Sequence, residues 1–593
     1  MQTTQSKPAT PSRPALITPK IPPMVGKIQV NFCKSPKCKN FGVPAKNGPL
    51  FEGKYLPRED TYDLYTTGYK RDGGSVQTLK CKLCGEYPTV KSNLGIYEEL
   101  SRFMVPFRSK IVSCPDPGCE NHTVPVGTPG AYRIHGKSKS GMLRYRCNGC
   151  GRYFTEPSPD MPGGRHKQPE MDAEVFRRLV NTSPLRRIFK LLKITPPVFY
   201  DTIDFIHERC VAFAVAQESR LFRMHLPRLY LASDRQEYVL NWRRRQDKRN
   251  VNLWSVGTAD LRSGFIFGLH VNYDPDMDLE KTEDDAIAIR DYELRDPYRR
   301  YARVWLKKDH EDAVKSYRAP KKPRTKSKQD KALEKAIDGI YNAAQLRWDI
   351  EAQEAVTEFV QLPDKGMQVH SEYTLYAHFF FLRKLLSRMG NLHFFLDQDS
   401  GIRAACLAAF HDRIKDHRCD AFYVKINKKL TVDQRTKLML ANKFVFEAEK
   451  ARNPGMKEYH VRLLMMKRNM EHPKKHGKWK DLWVTHPFPN MGEPEKAMSY
   501  LTDIHHYDED HLARIYSHAS LHAIDRFFMQ VRRSVRALER PISTPSNANR
   551  RWYGYNPYDP AMVGKLLDIY RVYYNYVEAT RREKKRLFLI LNG

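Results

Sequence analysis

FFLDQDSG, residues 394–401, is an apolar run that stops at two carboxylates and a glycine. Acid at the end of a strand-like run needs a reason in a chain of 593 residues whose 101 Lys and Arg outnumber 68 Asp and Glu, for a formal charge of +33. An excess of that size points to a polyanionic partner, nucleic acid before membrane. No apolar run reaches the roughly 18–20 residues that cross a bilayer. The opening MQTTQSKPATPSRPALITPKIPPM is rich in Pro, Ser and Thr and has no signal-peptide core. Residues 1–24 are therefore expected to be the disordered tail of an intracellular protein. At about 100–200 residues per domain, the length predicts three to five folded units.

The surroundings of 394–401 alternate. A helical pattern, SEYTLYAHFFFLRKLLSRMG, precedes it; IRAACLAAFHDRI and the strand-like CDAFYVKI follow. Sheets built from alternating strands and helices carry their sites at the carboxyl ends of strands, which makes Asp397 a candidate site residue. Asp399 reads more simply as a turn or helix cap. Further upstream, apolar residues 229–231 lead to Asp234, and two more runs, VNLWSVGTAD and FIFGLHVNY, are joined by LRSG, a tight hairpin connection. A third acid, Asp525, sits on a predicted helix in SLHAIDRFFMQVRRSVRALERP. His518 and His522 lie one turn apart beside it, with His505 and His506 before them, and solvated-face histidines are the simplest reading.

Eight of the eleven cysteines precede residue 151 and come in close pairs. CKSPKCKNFGVP, from Cys33, and CPDPGCENHTVP, from Cys114, share cysteines, proline, asparagine and Val-Pro at the same offsets. Each copy is followed by a second pair, in LKCKLCGEY and YRCNGCGRYF. A tetrahedral zinc takes four thiolates, and a short turn between two cysteines presents both sulfurs to one ion. The spacing assigns Cys33, Cys38, Cys81 and Cys84 to one Zn²⁺ and Cys114, Cys119, Cys147 and Cys150 to a second. His122 and His135 are substitute ligands only in the second copy, so four cysteines each is the preferred set. Lys80, Lys82, Arg144, Arg146, Arg152 and Tyr153 surround the second pairs and suit nucleic-acid contact.

After a Pro/Gly-rich break, residues 171–210 show apolar residues at helical spacing in three short stretches. The first runs from about Asp172 to Val180. Ser183 caps a second with Pro184 at its first position, and Pro196 and Pro197 open a third. This is helix-turn-helix grammar. It puts Val198, Phe199, Asp201 and Thr202 at the start of a recognition helix and Arg186, Arg187 and Lys190 on the phosphate backbone.

Taken together, Asp234 after a strand, FLDQDSG, and IDRFF followed by a basic pair resemble the DDE/D transposases of bacterial insertion sequences, over roughly residue 171 to the end. Many relatives have Glu where this chain has Asp525. The resemblance implies a multidomain α/β protein: a ribonuclease H-like mixed-sheet catalytic core behind zinc ribbons and a helix-turn-helix. The expected units are a tail (1–24), two zinc modules (25–100 and 105–160), the helix-turn-helix (170–212), a catalytic domain (220–540) with a charged helical insertion (about 275–361), and a C-terminal helical arm (541–593). Asp234, Asp397 and Asp525 would hold two Mg²⁺ or Mn²⁺ ions, with Glu578 as the fallback for the third acid. The partner would be double-stranded DNA, both element ends and target, in the bacterial cytoplasm at the nucleoid, with at least a dimer when two ends are synapsed. A non-catalytic DNA-binding regulator and a structure-specific nuclease of the same fold are the alternatives.

Overall fold

The computed structural model describes residues 20–48, 50–51, 54–55, 61–68, 75–108, 112–138, 141–155, 169–316, 332–345, 356–476, 481–504, 507–543 and 551–578. Most of the expected tail, the Lys-rich linker from Arg318 to Lys331, and His505 and His506 lie outside them. Among the described residues no helix is long and apolar enough to cross a membrane.

Both cysteine quartets close. Cys33 and Cys84 sulfurs stand 3.4 Å apart and Cys38 and Cys81 3.7 Å; Cys114 and Cys150 stand at 3.4 Å and Cys119 and Cys147 at 3.6 Å. A tetrahedron with bonds of about 2.3 Å has edges of about 3.8 Å, so each quartet could hold a structural zinc ion. The repeat's other shared residues now have a purpose. The Tyr62 hydroxyl accepts from the Cys33 amide and donates to the Asn40 and Val43 carbonyls, and Tyr132 does the same for Cys114, Asn121 and Val124. Asn40 and Asn121 each turn a side-chain amide onto a thiol, of Cys81 and Cys147. His122 binds the Cys114 carbonyl instead of joining the quartet.

The two copies are placed differently. Phe32 and Phe41 of the first are buried in the main core. A Cβ on Gly42 would lie 2.4 Å from the His411 ring, and Lys91 pairs with Glu372 inside the protein. Glu86, beside the quartet, accepts from Cys33 and from Arg403 of the helix Ser400–Ala409.

Three helices follow, α1 (Pro169–Leu179), α2 (Leu185–Leu191) and α3 (Pro196–Glu218). Pro184 precedes α2 as its cap residue, one position short of the expected start. Next come β1 (Arg228–Leu240), β2 (Val251–Asp260) and β3 (Ile266–Val271). Helix α4 (Ser371–Leu385), β4 (Asn391–Asp397), α5 (Ser400–Ala409) and β5 (Cys419–Ile426) continue the alternation. A pair of charged helices, α6 (Val432–Arg452) and α7 (Glu458–Glu471), leads to β6 (Lys474–His476), β7 (Asp481–Thr485) and β8 (Lys496–Tyr500). Then come α8 (His522–Ser534) and α9 (Pro560–Val572).

The eight strands form one mixed sheet in the order β3-β2-β1-β4-β5-β8-β7-β6. β4 runs parallel to both neighbours, and every other pairing is antiparallel. Apolar side chains fill both faces, as a parallel centre demands. Leu392, Phe394 and Leu396 of β4 join α4, α5 and the first zinc module on one side. Phe395 joins α3, α8 and α9 on the other.

Four expectations change. Asp234 is not at the end of its strand: β1 continues six residues further because β2 stays paired with it to Leu240. The insertion is helical as expected, with helices Leu279–Ala288, Lys307–Ser316 and Ala332–Gln345. It is not a detached appendage, since Ala302, Val304, Leu306, Leu333 and Ile337 are in the core. The helix-turn-helix segment is not a separate domain either. Its Val175, Ile188, Phe199 and Ile206 share a core with Leu566 and Tyr570, and Arg571 of α9 pairs with the buried Glu218 of α3. The same packing makes α9 a core helix rather than a surface arm.

Because, among the described residues, only the first zinc module contributes to the main core, losing its metal should cost global stability. Elemental analysis is expected to find two zinc ions per chain. Cys81→Ser should leave one and lower the main thermal transition, whereas Cys147→Ser should leave one and spare that transition.

Candidate functional site

Strand β4 ends where its purpose begins. Leu396 pairs with Ser233 in parallel register, so Asp397 falls one step on, at the level of Asp234. Residues at one level on neighbouring parallel strands point to the same face, about 4.8 Å apart by strand spacing. The two carboxylates thus share a face, the one covered by α8.

Gly257 of β2, the partner of Asp234 in the antiparallel register, decides how near α8 can come. A Cβ there would sit 2.9 Å from Ile524 Cδ1 and 3.4 Å from Phe528 Cζ. With no side chain at that point, the helix settles onto the sheet and Asp525, next to Ile524, reaches the two strand acids. An aspartate is a methylene shorter than a glutamate, so close approach is what it requires.

The electrostatics record the convergence. Burial first, then the charges of Asp397 and Asp525, hold the Asp234 carboxyl well above the usual carboxylate range; Lys428 and the Arg235 amide pull the other way. Asp525 is raised by burial against the opposing pull of Lys428, whose Nζ donates to its Oδ1 at 2.7 Å. Burial disfavours the Lys428 ammonium, yet Asp525, Asp234 and Asp397 outweigh it and raise its pKa. Lys428 is a site residue that sequence reasoning missed. Its one signal was its place in KINKKL, two residues after β5, whose carboxyl end lies beside that of β4.

Asp399 behaves as a cap. It accepts from the Gly401 and Ile402 amides at the start of α5 and is paired at 3.1 Å with Arg235, whose guanidinium lies over Trp254. Glu578 stands apart from the acids, accepting from Gln530 near Tyr570, Tyr573 and Tyr574. His518 stacks on Tyr230 at 4.5 Å, and His522 is exposed. Two turns along α8 from Asp525, Arg532 lines a shallow surface depression with Arg540, Glu237 and Tyr238. Burial, then Arg540, lowers its pKa, against the pull of Tyr238, Asp525 and Asp234.

On the helix pair, Arg186, Arg187 and Lys190 are exposed as expected. Phe199 and Thr202 are not available to DNA. Phe199 is buried against Phe189, and Thr202 is buried with its hydroxyl donating to the Val198 carbonyl. A helix that packs on two sides, against α1 and α9, has to bury that stripe. The exposed positions at its start are Pro196, Pro197, Val198, Tyr200 and Asp201. Around the second zinc quartet, Arg144, Arg146 and Arg152 are all exposed.

Among the described residues only the cysteine quartets gather three or more ligand atoms within 4.8 Å of one another. The acids are held further apart than that, as three carboxylates sharing one lysine should be. Their donor set, hard oxygens from two strands and a helix, is of the kind that divalent ions such as Mg²⁺ or Mn²⁺ take. No protein-family model matches the chain, and no curated protein matches it.

Two substitutions test this geometry. Gly257→Val should push α8 off the sheet and separate Asp525 from the strand acids, with loss of any activity that needs all three. Asp234→Asn should raise the melting temperature at neutral pH by a few degrees, about 2–4 °C per kcal/mol for a large domain. A carboxyl raised in the folded state loses stability as pH climbs from about 3.9 through its folded value, and the amide removes that loss. The gain should vanish at pH 3, where both states are protonated.

Proposed function

We propose that the chain is a DNA transposase of the DDE/D type: it cuts a DNA strand to free a 3′-hydroxyl and joins that hydroxyl to target DNA by transesterification. The observation that carries this reading is the pairing of Asp397 and Asp234 at one level of adjacent parallel strands, with Asp525 brought to them by the close approach of α8 at Gly257. A sheet whose first three strands form an antiparallel meander and whose fourth and fifth run parallel to the first also fits a ribonuclease H-like core.

Asp234, Asp397 and Asp525 would hold the divalent ions, which when bound supply Lewis-acid stabilisation at the phosphodiester. The remaining work falls to side chains of the chain itself. Lys428, half-exposed at the rim and paired to Asp525, can turn from the carboxylate to a phosphate oxygen once other positive charge satisfies the acid. Arg532 and Arg540 offer guanidiniums to the phosphates on either side of the reacting one. The exposed Arg186, Arg187 and Lys190 give the duplex a second hold away from the acids. The net positive charge draws in a polyanion that the acidic pocket alone would repel.

Asp234→Ala, Asp397→Ala and Asp525→Ala should each abolish Mg²⁺- or Mn²⁺-dependent cleavage and joining while leaving DNA binding intact. Asp399→Ala, which removes a cap and one ion pair, should cost about 1 kcal/mol of stability and keep measurable activity; Glu578→Ala should also stay active. Labelled-DNA product analysis reads the outcome. Cut but never joined strands would favour a nuclease, and no chemistry from any DNA would favour a regulator. An active Asp525→Ala would remove the third acid from the scheme.

A further inference from the structure

The two zinc modules share one internal design but not one surface. In the first, several basic side chains near the quartet already have partners in the protein, some buried and some at the surface. Lys82 pairs with Asp63, Lys91 with Glu372, and Lys34 donates to the Tyr376 hydroxyl. In the second, strands Tyr132–Lys137, Leu143–Cys147 and Tyr153–Thr155 make a three-stranded antiparallel sheet. Its register separates two faces. Ile134, Tyr145 and Phe154 line up across one, where Tyr145 and Phe154 stack at 5.8 Å and Tyr132 meets Phe154 edge-on. Arg133, Arg146 and Tyr153 line up across the other, flanked by Arg144 opposite Thr155 and by His135. Every one of these outer residues is exposed.

We propose that this outer face of the second zinc module binds single-stranded DNA, with Tyr153 stacking on a base and Arg133, Arg144 and Arg146 holding the phosphates. The arginines are available for it: among the described residues no carboxylate pairs with Arg133, Arg144 or Arg146, whereas the neighbouring Arg152 is matched by Asp116. Tyr153 is 46% exposed, an unusual position for a ring on a small module. It is held in place by the edge of His135 at 4.8 Å and by the Arg146 guanidinium at 5.7 Å.

The choice of single strand follows from shape. Three strands about 4.8 Å apart span about 10 Å between the axes of the outer two, and with their side chains they present a face broader than the helix or two-stranded ribbon that a major groove about 12 Å wide admits. A duplex keeps its base faces stacked inside, so an exposed ring finds a π-face only where bases are unpaired. An alternation of cation and aromatic on a sheet face is the means by which unpaired strands are held without reading sequence. The proposal rests on the reading of the chain as a strand-transfer enzyme, whose cut ends supply unpaired DNA near the site.

The test uses the full chain carrying Asp397→Ala, so that binding is measured without chemistry, in magnesium-free buffer. Fluorescence anisotropy is read with a labelled mixed-sequence single strand of DNA, the duplex of the same sequence, and the corresponding RNA strand. Tyr153→Ala should weaken single-strand binding about 5-fold or more and leave the duplex within 2-fold, while Tyr153→Phe should bind like the parent. Arg146→Ala should weaken it too and lower the slope of log affinity against log salt by about 0.7. Zinc content of two per chain certifies each variant. If Tyr153→Ala fails that check, Arg133→Ala and Arg144→Ala on the flanking strands decide.

Single-strand binding unchanged in these variants, equal losses for duplex and single strand, or a parent that ignores single strands would overturn the proposal. Tighter binding to RNA by 10-fold would move the assignment to RNA. None of these outcomes touches the acid site, which stands or falls on strand cleavage by the unsubstituted chain.

Discussion

Two carboxylates at one level of neighbouring strands repel, and everything around Asp234 and Asp397 has to hold them there. At a separation of about 5 Å and an effective dielectric of about 20, the repulsion is about 3 kcal/mol, and Asp525 adds to it. The counterweight is apolar. β4 is buried on both faces, with Phe394 on one side and Phe395 on the other, and full burial of each such side chain stabilises by about 1.5–3 kcal/mol. A strand sealed on both sides cannot slip by a residue to separate the acids, because a one-step shift would turn Phe394 and Phe395 each to the wrong layer. The charges are tolerated because the sheet leaves no cheaper register. Lys428 relieves part of the repulsion from outside the sheet, by pairing with Asp525 at the rim.

Local patterns were readable where a residue's role depends on its chain neighbours. FFLDQDSG carries enough within eight residues to show a strand ending at Asp397 and a cap at Asp399, and both are found. The cysteine quartets were readable for the same reason: short turns bring paired thiols together, and the repeated Asn and Val-Pro mark the backbone carbonyls that a tyrosine must reach. The tyrosine itself, Tyr62 or Tyr132, was invisible because its distance along the chain differs, 29 residues after Cys33 but 18 after Cys114, although in both copies it pairs across the sheet with the third cysteine.

What could not be read depends on contacts between distant segments. The apolar stripe of α3 showed that it packs, not that it packs on two sides, so Phe199 and Thr202 were given to the solvent. Ala302, Val304 and Leu333 were hidden by the charged residues around them, although a few apolar side chains suffice to tie a helical insertion down. Gly257 gave no signal at all. Its importance comes from Ile524, 267 residues away, and only the sheet register places the two together.

Duplicated modules bring the argument back to charge. Each quartet needs the same backbone turns, the same tyrosine and the same asparagine, so selection on metal binding keeps the interior of both copies alike. Their surfaces are under no such constraint. Where the first copy meets the core, a cation left unpaired would be buried at a cost of several kcal/mol, and Lys91 accordingly meets Glu372 there. The second copy makes no such demand on Arg133, Arg144 and Arg146, which stay in water at little cost whether or not a partner is bound. Unpaired cations are therefore inexpensive on the second module and forbidden on the docked face of the first. A single fold has in this way become a structural wedge in one place and an open basic surface in the other.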